Sequence, residues 1–84
     1  MIVGNEDIEE LTAEIPEGHK HLRVTIRFND GRTFTFQEAT IANLVRAYVS
    51  VKTHPSTTKI CLKGRRLRER KKGFAEWQLI EEKI

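Results

Sequence analysis

Residues 22–28, with the sequence LRVTIRF, alternate apolar side chains with Arg and Thr, and this alternation decides the fold. A period of two predicts a half-buried β-strand. Asn29-Asp30-Gly31 follows, and glycine at such a turn supplies the positive φ that a tight hairpin needs. The alternation resumes in residues 33–36, TFTF, so we expect a β-hairpin with one apolar face and one face of Arg and Thr.

After the hairpin the period changes to that of an amphipathic helix. Apolar side chains recur at the i, i+3, i+4, i+7 and i+8 positions, namely Ile41, Leu44, Val45, Tyr48 and Val49. The helix should end near residues 52–54, because Pro55 disfavours helical geometry in the residue before it. Residues 59–63, KICLK, alternate again and predict a third strand with a basic outer face.

The C-terminal segment follows a basic run, residues 65–73, with the sequence RRLRERKKG. Residues 74–80, FAEWQLI, fit a strand that places Ala75, Trp77 and Leu79 on one face, or a helix. Gly73 after two lysines favours a hairpin turn with a glycine bulge, and therefore the strand. The helix stays as the alternative. The aromatic residues are expected in the core: Phe34, Phe36, Tyr48 and Trp77.

The N-terminal segment predicts a short acidic helix or arm. Ile8, Leu11 and Ile15 are spaced by three and four residues, Asn5 suits an N-cap, and Pro16 is a stop signal. A helix of about ten residues is marginal alone, so an undocked arm would fray. We therefore expect an arm over residues 1–20 and a core domain over 21–84.

Length and composition indicate one small domain, since the chain has 84 residues. The single cysteine, Cys61, excludes an intramolecular disulfide. No apolar run approaches the roughly 20 residues of a membrane span, and the first residues lack the features of a signal peptide. A cytoplasmic protein with no membrane partner is expected.

Charge is distributed unevenly behind a net value of +3. Residues 1–18 hold six acidic and no basic side chains, residues 19–72 hold fourteen basic against three acidic, and residues 73–84 hold one basic against three acidic. Such asymmetry indicates an anionic partner, because charge governs association more than fold.

The order hairpin, helix, strand, turn, strand is α+β, and over about residues 21–80 it resembles the ubiquitin-like β-grasp superfamily. The resemblance rests on the hairpin 22–36, the helix start 40–44 (TIANL) and the segment 60–67 (ICLKGRRL). It implies a single ββαββ domain with one helix packed on a mixed four-stranded sheet. The chain departs from the family in lacking a C-terminal diglycine, so conjugation and sulfur-carrier chemistry are not expected. Cys61 occupies the position that matches the isoleucine at the centre of the family's receptor-binding patch, so that binding surface is not expected here. Ferredoxin-type members of the fold hold an iron–sulfur cluster with four cysteines, and one cysteine cannot do so.

On such a sheet, Arg23, Arg27, Lys59 and Lys63 would project from one face, and the basic run would extend it. We therefore expect a small non-catalytic module that binds nucleic acid or another polyanion. The predicted contact residues are Arg23, Arg27, Lys59, Lys63, Arg65, Arg66, Arg68, Lys71 and Lys72.

Other functions stay open. The chain suits a protein-interaction module that binds an acidic protein, or a homodimer in which the acidic segment 5–17 of one copy docks on the basic face of another. The same segment, docked on the basic face of its own chain, would partly neutralise that face and act as an electrostatic gate for anionic partners. An enzyme is the weakest alternative, with His19, His21, His54 and Cys61 as candidates, and neither a metal nor a cofactor is expected.

Overall fold

The computed structural model describes residues 1–71 and 74–82, without the side chains of 68–71 and 74–76. This part of the chain is α+β and forms two compact units, Met1–Ala42 and Asn43–Ile84. The elements are a short 3₁₀ turn Asn5–Asp7 and, in order, β1 Ile8–Glu14, β2 Arg23–Phe28, β3 Thr33–Gln37, α1 Glu38–Thr53, β4 Cys61–Lys71 and β5 Phe74–Glu82.

The predicted hairpin is confirmed as β2 and β3, which pair antiparallel. Ile26 lies opposite Phe34, so the apolar side chains share one face as the alternation requires. Gly31 closes the turn with a φ of 89°, a conformation that costs glycine little. The Phe28 ring packs edge-on against Phe34 at a centroid distance of 5.7 Å.

The N-terminal segment forms a strand, so the predicted helix is wrong. β1 pairs antiparallel with β2 and makes it the centre of a three-stranded sheet. A β-bulge between Ile8 and Glu10 brings Ile8 opposite Phe28 while Leu11 lies opposite Ile26. The bulge therefore puts two residues with helical spacing on one face of a strand. Backbone pairing with β2 also stabilises a segment too short for an independent helix.

The C-terminal segment forms β5, so the predicted strand is confirmed and the helical alternative is wrong. β5 pairs antiparallel with β4, with Gly64 opposite Leu79. The third strand is longer than predicted and begins later, at Cys61, so the basic run is mainly strand and Lys59 precedes it. The expected turn and glycine bulge fall on residues 72–73, outside the described residues.

The five described strands form two antiparallel sheets, β1-β2-β3 and β4-β5. The prediction of one mixed four-stranded sheet is therefore wrong, and the β-grasp arrangement stays a prediction. β1 lies inside the predicted arm 1–20 as a strand of the first sheet, and the two compact units divide after residue 42.

Helix α1 ends at Thr53, two residues before Pro55, as predicted. Four of the five apolar side chains in its stripe are exposed, Leu44 at 59%, Val45 at 56%, Tyr48 at 65% and Val49 at 45%, and Ile41 is half-buried. No side chain in the described part is fully buried. Phe34, Tyr48 and Trp77 are exposed rather than core residues, while Phe36 is half-buried. Within the described residues, no helix combines the length and apolar character that a membrane crossing needs.

Candidate functional site

The structure distributes the predicted contact residues over two sheets. Arg23 and Arg27 lie on β2, whereas Lys63 lies on β4 and Lys59 precedes it. The prediction that these four project from one face of one sheet is therefore wrong. The remaining predicted residues lie on β4, except for Lys72, which is outside the described residues: Arg65, Arg66, Arg68 and Lys71.

Carboxylates of β1 counter the arginines on β2. Glu10 lies opposite Arg27, and the Arg27 guanidinium is 3.2 Å from a Glu10 carboxylate oxygen and 3.4 Å from one of Glu9. Glu14 lies opposite Arg23 in the same register. The acidic segment thus lies against β2 of its own chain, and the polar face of this sheet carries mixed charge rather than a cationic surface.

A pair of threonines continues the polar face between the two arginines. Thr25 lies opposite Thr35, and their hydroxyl oxygens are 3.1 Å apart, within hydrogen-bond distance. Thr12 lies opposite Thr25 on its other side. Cross-strand hydrogen bonds of this kind contribute to sheet stability, so the threonines have a structural role that needs no phosphate ligand.

Cationic residues are concentrated on β4 instead. Six of its eleven residues are Lys or Arg and one is acidic, a net charge of +5. Its partner β5 has three Glu and no cation. The predicted set omits Arg70, which lies on the same strand, although the basic run in the sequence contains it.

Glu82 of β5 binds two of the β4 cations. The Lys63 ammonium nitrogen is 3.0 Å from Glu82 Oε2, and Arg65 Nη2 is 3.5 Å from Glu82 Oε1. All three side chains are between 41% and 56% exposed. Exposed pairs of this kind contribute little stability, because water and salt screen them. The two cations are therefore available to a stronger anionic ligand that displaces the carboxylate.

An aromatic side chain lies beside the basic residues. Trp77 of β5 stands directly opposite Arg66 of β4 and is 64% exposed. An exposed indole ring beside a cation offers a stacking surface to an unpaired base. The sequence pattern predicted Trp77 as a core residue, which is wrong. The sequence does not show that Trp77 lies opposite Arg66, because that pairing depends on the register of β4 and β5.

A cavity of about 420 Å³ lies in the first unit, where β2 begins and α1 starts. The Glu38 carboxylate accepts a hydrogen bond from the Leu22 backbone N–H at 2.7 Å and lies 3.0 Å from His21 Nδ1. These contacts, with that from Leu22 first, hold the pKa of Glu38 below its usual value. The carboxylate therefore stays ionised and acts as a structural acceptor.

The other candidates for catalysis or metal binding remain dispersed. Cys61 is a free, half-buried thiol at the start of β4. Within the described part of the chain, His, Cys, Asp and Glu residues form no group of three or more that could hold a metal ion. The prediction of a non-catalytic protein stays a prediction.

Comparisons with protein-family models, curated proteins and solved structures gave no match. The resemblance to the ubiquitin-like superfamily therefore stays a prediction, and the assignment of function depends on the chemistry of the chain itself.

Proposed function

We propose that the β4–β5 hairpin is a non-catalytic nucleic-acid-binding element. The observation that carries the proposal is the charge of β4, where six cations occupy eleven residues. Contacts between cations and phosphates release condensed counterions, and this term dominates non-specific binding of nucleic acid. The proposed contact surface is therefore strand β4, instead of the single sheet face that the sequence predicted.

The dimensions of the hairpin fit a duplex. An eleven-residue strand is about 37 Å long at about 3.4 Å per residue, close to the 34–36 Å of one turn of B-DNA. A two-stranded β-ribbon also fits the width of the major groove. Phosphate contacts fix position without sequence information, so we expect binding that depends weakly on sequence.

Single strands have a further contact in Trp77. Its exposure and its place opposite Arg66 allow a base to stack beside a cation. Stacking of this kind contributes about 1–3 kcal/mol per base. Removal of the indole should therefore weaken binding to a single strand more than binding to a duplex.

The experiment is a fluorescence-anisotropy titration of labelled single- and double-stranded oligonucleotides at about 50 mM and about 200 mM salt. Six phosphate contacts predict a slope of about −5 in log affinity against log salt, a loss of about 10³-fold over this range. A Lys63→Ala, Arg65→Ala, Arg66→Ala variant should flatten the slope by about 3.

The matched control is Arg23→Ala, Arg27→Ala, Arg32→Ala, which removes the same charge from the first unit. It should leave the slope nearly unchanged, because these arginines lie in the first unit, outside the β4–β5 hairpin. Equal effects of the two triple variants would reject β4 as the site. Binding that does not change with salt, or no binding at low salt, would reject the nucleic-acid function and favour a protein partner.

A further inference from the structure

Two strands of opposite charge each have an unpaired edge. Among the described strands, β1 pairs only with β2, and β4 pairs only with β5. Each therefore presents backbone N–H and C=O groups along its other side, where another strand can add to the sheet.

The side chains on these two edges are complementary. β1 has three Glu among seven residues and no cation, whereas β4 has its net charge of +5. The other two edge strands are β3 and β5. β3 has no charged residue, and β5, with three Glu, would join β4–β5 hairpins of successive copies into an open-ended stack rather than a closed dimer. The same contrast holds for the two compact units: residues 1–42 hold eight acidic and four basic side chains, a net −4, and residues 43–84 hold four acidic and eleven basic, a net +7. Opposite charges on adjacent strands favour pairing, and like charges oppose it.

Both strands also expose a leucine near the middle. Leu11 of β1 is 56% exposed, and Leu67 of β4 is 45% exposed. Lateral pairing would cover part of both. It would also give β4–β5 a third strand, and two-stranded sheets are only marginally stable in water without added packing.

We propose that β1 of one copy of this chain pairs edge to edge with β4 of a second copy. The occupant is a second copy because each chain carries both an acidic and a basic edge. Two copies related by a two-fold axis then satisfy both edges of both chains, with two identical β1–β4 contacts. Edge pairing uses backbone groups, and the strand side chains project from the two faces of the enlarged sheet. This self-association goes beyond the proposed function and does not depend on it.

The test is size-exclusion chromatography with light scattering, in the absence of nucleic acid. The unmodified chain should have twice the mass of one chain at low salt and should dissociate as salt rises, since screening weakens attraction between exposed charges. A Glu9→Lys, Glu10→Lys, Glu14→Lys chain has a β1 strand of net +3, and a Lys63→Glu, Arg65→Glu, Arg66→Glu chain has a β4 strand of net −1. Each chain should dimerise at least tenfold more weakly, because both contacts then join strands of like charge.

Mixing the two charge-reversed chains is the decisive measurement. In the mixed dimer one contact joins two reversed edges and the other joins two native edges, so both are attractive and the dimer should return. If β1 instead paired with β4 of the same chain, each variant would lose that contact, and mixing the two variants would not produce a dimer. The control Arg46→Glu, Lys52→Glu reverses both cations of α1 and should still dimerise.

Hydrogen exchange of the unmodified chain gives a readout that does not depend on whether the variants fold. Amides along β1 and β4 should become more protected as protein concentration rises, while those of β3 should not. A monomer at every concentration, a mass that grows without limit as hairpins stack on one another, or a mixture of variants that stays monomeric would each overturn the proposal.

Discussion

Neutralising Glu82 should strengthen binding to nucleic acid, although the residue itself is acidic and makes no phosphate contact. Its carboxylate holds Lys63 at 3.0 Å and Arg65 at 3.5 Å. The Glu82→Gln substitution removes one negative charge from the hairpin and releases both cations. It should change stability by less than about 1 kcal/mol, since exposed ion pairs contribute little.

The size of the effect follows from the two exposed ion pairs that phosphates must displace in the unmodified chain. Together such pairs contribute about 0.4–1 kcal/mol, so their removal should raise affinity by about twofold to fivefold at a given salt concentration. The slope of log affinity against log salt should stay close to about −5, because Lys63 and Arg65 already count among the six phosphate contacts. The assay is the anisotropy titration with one labelled duplex, performed at several salt concentrations on protein whose circular dichroism matches that of the unmodified chain.

The matched control is Glu10→Gln, which also removes one exposed carboxylate from an arginine. Glu10 lies 3.2 Å from Arg27 in the first sheet, and Glu10 is 58% exposed. Because Arg27 lies outside the β4–β5 hairpin, we expect the affinity of this variant to stay within about 1.5-fold of the original. If Glu82→Gln leaves the affinity unchanged, or if both variants raise it equally, placement of the binding site on β4 is refuted.

Two further predictions concern the framework of the fold. Gly31→Ala should destabilise the protein by about 1–2 kcal/mol in a denaturant titration, because the turn would hold an alanine at a φ of 89°, which is unfavourable for a residue with a Cβ. Gly64→Ala should be neutral or stabilising by up to about 1 kcal/mol, since the added Cβ would meet only Leu79 Cδ2 at 3.8 Å. Equal losses in both would contradict the conformational explanation. Glu38→Gln should remove a pH-dependent part of stability: the lowered pKa means that the ionised carboxylate stabilises the fold above about pH 4.5 and loses this contribution as the pH falls further. Thermal unfolding from about pH 6 to about pH 3 should therefore show a smaller loss for Glu38→Gln than for the unmodified chain, and parallel losses would contradict it.

Local patterns predicted most of the secondary structure. The hairpin, the helix and the last strand follow from alternation, helical periodicity and turn residues, which are properties of neighbouring positions. The prediction of a helix in the N-terminal segment was wrong for a specific reason. A bulge at Glu9 gives the apolar residues of β1 the spacing that is typical of a helix, and a bulge exists only in relation to a partner strand.

The candidate site was predictable in composition but not in arrangement. The basic run already identified the residues of β4, because a dense charge is visible in the sequence. The loss of Arg27 from the cationic surface was not visible, since its partners Glu9 and Glu10 lie about 17 residues away and approach it only through the register of β1 on β2. Likewise, the pairing of Trp77 with Arg66 depends on the register of β4 and β5.

The sequence by itself determined most of the elements and the total charge of each segment, because periodicity and composition need no knowledge of distant partners. Only the tertiary structure decided which charges cancel and which edges stay open. Both properties depend on strand order and register, and these are set by backbone pairing between segments far apart in the chain.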